Sequence, residues 1–272
     1  MIHVVTAANR ELYRDTLRDM HQLRRVHFVE ERGWNAMTVR DGGEYDPYDD
    51  DETIYLLSLN EDGSVGCSMR MRPAETGSIL TDVFPHLVAA DEPALRRPDV
   101  WEISRYFAAK SGRGRAGARA RAEIRLASLE VAQARGVKRL IGMIDLEMLP
   151  PMLTASGWRV RTLGLPAPYD EGIAQAIEVQ VSRGAIIDMA ESQGLSETAA
   201  LELDPQRAPK IPPHEIEALI RLARSESQPA RIVVALVRRL AALQDEMDEE
   251  QLLGMVSYVG ALLDARGEYV IH

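Results

Sequence analysis

At 272 residues the chain has room for one large domain, or for one domain with a small appendage. Its hydrophobic fraction of 46% suits a packed core, its net charge of −10 argues against general affinity for nucleic acid, and its single cysteine excludes an internal disulfide. No apolar run approaches the roughly 20 residues that cross a bilayer, and the opening MIHVVTAANRE lacks the basic-then-apolar layout of a secretion signal. A cytoplasmic protein with no membrane attachment is expected, with Cys67 as a small buried hydrophobe.

Asn9 is placed to cap a helix from about Arg10 to Arg32, with Tyr13, Leu17, Met20, Arg24 and His27/Phe28 along one face and Gly33 as its stop. TIYLLSL, EDGS and VGCSMRMR then read as strand, tight turn and strand, and VWEISRYFAA as a third strand. The stretch from Arg115 to Arg135 is helical in pattern, with Ala122, Leu126 and Leu129 on a common face. KRLIGMID is a short strand, LEMLPPMLTASG an interrupted helix, and WRVRTLG and AIEVQVS two further strands. The order predicts an α+β domain, an α/β/α sandwich around one central mixed sheet, with a parallel β-α-β crossover in its middle. Past Ser192 the texture changes: LDPQRAPKIPPHE is linker-like and helical periodicity follows it. The expected division is a domain over 1–192, a linker over 193–213 and a helical appendage over 214–272.

Arg24 and Phe28 are four residues apart on the first helix, so their side chains meet, and Trp34 lies just past the helix stop. Glu44, Asp46 and Asp49 follow as E-x-D-x-x-D. Aromatic faces and carboxylates around one point suit a small organic cation. The competing reading is an acidic surface loop beside ordinary core aromatics; a calcium loop does not fit the spacing. Arg70 and Arg72 share one face of the second hairpin strand, and Glu102 and Arg105 lie within the third. Charges in a central strand are costly unless paired or used. Lys110, Arg113, Arg115, Arg119, Arg121 and Arg125 face a single acid, Glu123, which points either to an acidic or phosphorylated partner or to a solvated helix face.

Taken together, LRRVHFVEERGW, EYDPYD, CSMR and EISRYF resemble the pattern of the acyl-homoserine-lactone synthases, with VFPHL and LTASGW in keeping, over about residues 10–185. The resemblance implies a GNAT-like N-acyltransferase fold. It also implies transfer of an acyl chain from acyl carrier protein or coenzyme A to S-adenosylmethionine, then lactone closure with release of methylthioadenosine. On that basis Arg24, Phe28, Trp34, Glu44, Asp46 and Asp49 line the adenosylmethionine side, and Arg70 and Phe84 brace the site. Glu102 is the candidate base, alternatively a structural partner of Arg105. Arg105 lies near the polar end of the cosubstrate, and backbone N–H groups near Ser104 and Arg105 would meet the oxyanion. Met143, Met148 and Leu149 are acyl-pocket candidates, and Lys110, Arg113, Arg115, Arg119 and Arg121 candidates for docking the carrier. No metal and no cofactor beyond the cosubstrate is implied.

Two departures from the family stand out. Pro150 and Pro151 fall where the acyl-cavity helix is expected to run on, and the tail after Pro213 exceeds the usual length. Two other functions compete: an N-acyltransferase that stops at an N-acyl amino acid, and a non-catalytic binding module descended from a synthase.

Overall fold

Alternation of side chains along buried strands sets the layering. The computed structural model describes residues 1–34, 36–112, 114, 117–195, 199–206, 208, 211–225, 253, 254 and 257. It opens with β1 (Ile2–Val5), then a helical run made of a 3-10 turn (Arg10–Tyr13), α1 (Arg14–Arg24) and a π-helical segment (Arg25–Glu31). A small ribbon, β2 (Thr38–Arg40) and β3 (Gly43–Tyr45), leads into the hairpin β4 (Ile54–Leu59) and β5 (Val65–Pro73). The short α2 (Ile79–Asp82) precedes the crossover β6 (Val100–Ala108), α3 (Ala118–Ala134) and β7 (Arg139–Asp145). After it come α4 (Leu149–Ala155), β8 (Val160–Thr162), β9 (Ala167–Tyr169), β10 (Gly172–Gln180), α5 (Arg183–Ser192), β11 (Ala200–Leu201) and α6 (Pro213–Ser225).

The main sheet runs β11-β1-β4-β5-β6-β7-β10-β8, with β9 also on β10. Its β6–β7 and β1–β11 pairs are parallel and the others antiparallel. On β4, Ile54 and Leu56 point into the core under α3 and α5, whereas Tyr55 and Leu57 point into the core under α1. On β5, Cys67, Met69 and Met71 join the α3 side, so Arg70 turns toward the loop after β3. The α+β class, the helices on both faces and the parallel crossover expected from the sequence are all present. Cys67 is fully buried, and burial pushes its thiol up to about 11.

One local break in the sheet positions everything that follows. The β6–β7 ladder pairs Val100 with Arg139 through Glu102 with Ile141 and stops there, although both strands run on. At the fork, a Cβ on Gly142 would lie 2.7 Å from the Ile103 carbonyl oxygen, so only glycine lets the strands come this close before parting. On its other edge β6 is bulged against β5, the register passing from Ser68↔Phe107 to Arg70↔Ser104. Arg105 sits in the bulge with a left-handed φ of 51°. The result is a wedge-shaped cleft between the C-terminal halves of β6 and β7.

Three features differ from the sequence reading. Pro150 and Pro151 do not break a helix: they lie in the first turn of α4, where a missing N–H costs nothing, so the helix starts at them. Within residues 193–213, read as a linker, β11 extends the sheet beside β1. The first turns of the expected appendage are packed on the domain, with Ile216, Leu219 and Ile220 buried. Glu217 accepts from the Met1 ammonium at 2.8 Å and meets His3 Nε2 at 2.9 Å. Apart from Leu253, Gly254 and Ser257, the remainder of the appendage lies outside the described residues, as does Arg207. If α6 is part of the fold, Ile216→Ala and Ile220→Ala should each lower unfolding stability by about 2–5 kcal/mol, as core truncations do. Urea denaturation checks this, and unchanged midpoints would show that α6 contributes no core.

Candidate active site

The loop after β3 carries its acids inward. Arg24, fully buried at the end of α1, donates from Nε to Glu44 Oε2 at 2.6 Å and grips Asp49 with both Nη atoms at 2.7 and 3.0 Å. Arg70, projecting from β5, binds Asp46 through both Nη atoms at 2.5 and 2.9 Å and reaches Asp49 at 2.9 Å. Arg105 completes the set, its Nη2 lying 3.1 Å from Glu44 and 2.7 Å from Asp46. Three guanidinium groups thus meet three carboxylates, and the charges cancel. Tyr55 adds a hydrogen bond to Asp49 at 2.8 Å. Burial pushes Asp49 up, but Arg24 and Arg70 outweigh it and hold the carboxyl far below the usual range. Asp46 is likewise lowered against its burial, by Arg70 and then Arg105.

The aromatic groups lie beside this cluster. Gly33, at φ 74°, closes the π-helical segment in the left-handed conformation. The Trp34 N–H then turns back to the Phe28 carbonyl at 2.9 Å. The two rings stack with centroids 5.0 Å apart and planes 22° apart. Arg105 stands over Phe28 at 5.7 Å and Arg32 over Trp34 at 5.1 Å. Tyr169 meets both Trp34 and Phe84 edge-on, at 6.4 and 6.1 Å.

At the fork of the cleft sits Glu102. Its partners are not Arg105 but the backbone N–H groups of Ile79 and Leu80, at 3.0 and 2.7 Å. Burial raises its pKa above the ordinary value against the pull of Leu80 N–H and Arg70. Ser104, two residues on, accepts from Arg70 Nε at 3.1 Å, which ties the bulge to the charge cluster. The backbone of β6 beyond Glu102 faces the cleft outside the β7 ladder.

The structure therefore brings Arg24, Phe28, Trp34, Glu44, Asp46, Asp49, Arg70, Ser104 and Arg105 together, with Glu102 and Phe84 on the neighbouring wall. The acids hold protein arginines, not an open cation site. Met143 packs against the cluster of Leu80, Leu87, Ile141 and Ala174 at the fork. Leu149 is half-buried, and Met148 points to solvent with 47% exposure. Lys110 and Arg119 are exposed, Arg119 pairing with Glu123 at 2.8 Å. Arg121 donates to the Gly114 carbonyl at 3.0 Å, and Arg113 and Arg115 lie outside the described residues. Sequence reasoning missed Tyr55 as an Asp49 partner, His21 beneath Glu44, and Tyr169. The stretch LPAPYDEG around Tyr169 has no periodicity to mark it. A surface cavity of about 610 Å³ beside Lys138, Arg139 and Arg161 lies at the opposite end of β7, away from these groups.

Comparison with known proteins gives a consistent picture. The family model described as autoinducer synthase matches residues 8–188. The isovaleryl-homoserine lactone synthase of Bradyrhizobium diazoefficiens is 37% identical over 183 residues, covering 67% of this chain and 81% of that protein. An acyl-homoserine-lactone synthase of Ralstonia nicotianae is 41% identical over 127 residues, 45% of this chain and 61% of its own. Among solved structures, the CoA-dependent acyl-homoserine lactone synthase BjaI, solved with SAM and isopentyl-CoA, superposes with a TM-score of 0.68 at 33% identity. The superposition covers 75% of this chain and 94% of BjaI.

His21 offers a test of how the cluster is seated. Its Nδ1 meets the Glu44 carbonyl at 2.8 Å and its ring stacks on Tyr45 at 3.9 Å. Burial, then the charge of Arg24, lowers its pKa from 6.5 to about 4. The unfolded chain therefore binds this proton between pH 6.5 and 4 while the folded chain does not, so stability falls as pH falls through that window. The loss attributable to His21 should be about 3 kcal/mol. His21→Gln should flatten the slope there while leaving the further loss below pH 3.8 that comes from Asp46 and Asp49. Urea titrations from pH 7 to 3 would show it, and an unchanged slope in the variant would exclude His21 as the source.

Proposed function

The chain belongs to the autoinducer synthase family and is an acyl-homoserine-lactone synthase; on that premise we propose that its reaction runs in the cleft where β6 and β7 part. The observation that carries this is the position of Glu102 at the fork, with the charge cluster and the Phe28–Trp34 stack on one side and the apolar group around Met143 and Phe84 on the other. S-adenosylmethionine lies against the aromatic stack, and the acyl thioester enters between the strands. The α-amine attacks the thioester carbonyl, a C–N bond forms, and the carrier thiolate leaves. The substrate carboxylate then attacks its own Cγ, the bond to the sulfonium sulfur breaks, and the lactone and methylthioadenosine separate.

Glu102 accepts the amine proton, directly or through a water. An unperturbed α-amine titrates near 7.7–8.0, and a nearby sulfonium lowers that, so modest help suffices. A carboxyl whose pKa burial has raised is better matched to the task than an ordinary one. Backbone N–H groups of β6 beyond Glu102 meet the oxyanion. Lactonisation asks mainly for geometry, since the sulfonium is already a good leaving group. Glu44, Asp46 and Asp49, engaged with Arg24, Arg70 and Arg105, shape and brace the pocket rather than bind the ammonium. Met143 and Phe84 border the acyl chain, whereas exposed Met148 does not.

For the acyl donor, a coenzyme A thioester is favoured over acyl carrier protein. The support is the likeness to CoA-dependent BjaI and, at 27% identity and a TM-score of 0.63, to CoA-dependent MesI. On this reading Lys110, Arg119 and Arg121 meet the phosphates of the donor. Assays of purified protein with acyl-CoA and acyl-carrier-protein substrates, read by mass spectrometry, test both points. Lactone and methylthioadenosine from acyl-CoA are expected. An open N-acyl product without methylthioadenosine would replace the synthase reaction by simple N-acylation, and activity with the carrier protein alone would reverse the donor assignment.

Glu102→Gln should lower kcat by about 10²–10⁴-fold, the usual worth of a general base. Part of the loss should return at alkaline pH, where the amine deprotonates unaided. Thiol release measured across pH decides the role, with the melting temperature as control because the substitution also disturbs the Ile79 and Leu80 hydrogen bonds. A pH-independent loss would make Glu102 a scaffold residue.

A further inference from the structure

Trp34 is held in part from outside the motifs that mark this site. Arg32 forms an ion pair with Asp145, the last residue of β7, and places its guanidinium 5.1 Å from the centre of the Trp34 ring. The Tyr169 hydroxyl donates to the same Asp145 carboxylate, and the Tyr169 ring abuts Trp34 edge-on with planes 87° apart. These contacts close a ring of four side chains: Trp34, Arg32, Asp145 and Tyr169. Two of its members are fixed by the sheet. Asp145 pairs with Ala174 on β10, and Tyr169 with Gly172 where β9 meets β10. The other two belong to the end of the first helical run, on the far side of the cleft mouth. Phe28 also stacks on Trp34. Asp145 and Tyr169 add contacts that restrict the indole from the sheet side.

We propose that Asp145 and Tyr169 are positioning residues for the cosubstrate. By fixing Arg32 and the edge of Trp34, they hold the indole where it receives the sulfonium nucleoside, and they tie that half of the cleft to the strand that borders the acyl half. The inference rests on the reading of Trp34 as a cosubstrate contact. A free Trp34 must be ordered by the cosubstrate at the expense of its affinity, whereas a clamped one is ready beforehand. The clamp therefore acts on one substrate and not on the other.

The test is steady-state kinetics of the full chain with S-adenosylmethionine and an acyl thioester varied separately, in Asp145→Asn, Tyr169→Phe, Arg32→Met and Trp34→Ala. Asp145→Asn and Tyr169→Phe should each raise the KM for S-adenosylmethionine about 3- to 10-fold, the scale of one partly exposed ion pair or cation–π contact. The KM for the acyl thioester and the melting temperature should stay unchanged. Arg32→Met should add little in the Asp145→Asn background, because the two act through one contact. If Trp34→Ala raises the cosubstrate KM while Asp145→Asn and Tyr169→Phe do not, the clamp is overturned and the site reading survives. If Trp34→Ala itself leaves that KM unchanged, the reading of Trp34 fails first. Equal effects on both substrates, or a fall in melting temperature, would assign Asp145 and Tyr169 to the fold instead.

Discussion

Six charges that sum to zero, three buried and three largely so, hold this protein's cleft together. Arg24, Arg70 and Arg105 come from a helix, a central strand and its bulged neighbour, Glu44 from β3, and Asp46 and Asp49 from the loop after it. None of these groups tolerates burial alone, since an uncompensated buried charge costs about 3–5 kcal/mol. Each pair therefore constrains two elements at once. The loop cannot leave without stranding three arginines, and the helix cannot slide along the sheet without parting Arg24 from Asp49. Such a network adds little to net stability compared with an apolar core of the same volume. Its return is a fixed relation between the helix, the strands and the acidic loop, added to the apolar packing under α1 and the β5–β6 ladder.

The same logic extends along the acidic run. Asp50 pairs with Arg72 and Asp51 with Arg10, so the loop is stitched to β5 and to the start of the helical run by successive acids. The outer pairs are partly exposed and weakly stabilising. The inner ones are dry. A gradient of burial from Asp51 inward to Asp49 and Glu44 explains why one stretch reads both as a surface loop and as a site. Both readings hold, at different positions.

How much of this the sequence disclosed follows from where each signal lies. The strands β4, β5, β6 and β7 and the helix α3 carry strong local patterns, and the parallel crossover follows from their order. The short, fully buried β1 has no alternation to betray it, and β11 is a strand only because β1 lies beside it. Residue types and spacing marked Arg24, Phe28, Trp34 and the E-x-D-x-x-D acids as one site, but not their pairing. That pairing depends on which guanidinium each carboxylate meets after folding. Glu102 illustrates the limit: a nearby arginine in the same strand suggested its partner, whereas the backbone of Ile79 and Leu80 supplies it. Tyr169 and Asp145 were invisible because their contacts to Trp34 and Arg32 cross more than a hundred residues and follow no local rule.

The apportioning of catalysis fits this architecture. Aligning two bound reactants can contribute about 7–11 kcal/mol, whereas a general base contributes 10²–10⁴-fold, or roughly 3–5 kcal/mol. Neither amide formation from an activated thioester nor displacement of a sulfonium calls for a powerful nucleophile or a metal. What both steps need is an amine, a carbonyl and, later, a carboxylate held at set angles within one cleft. The buried ion network, the glycine-permitted fork at Gly142 and the bulge at Arg105 all serve to fix positions, and Glu102 is a titratable group placed at the fork itself. A chain whose chemistry is easy but whose geometry is demanding puts its costly buried charges into the frame.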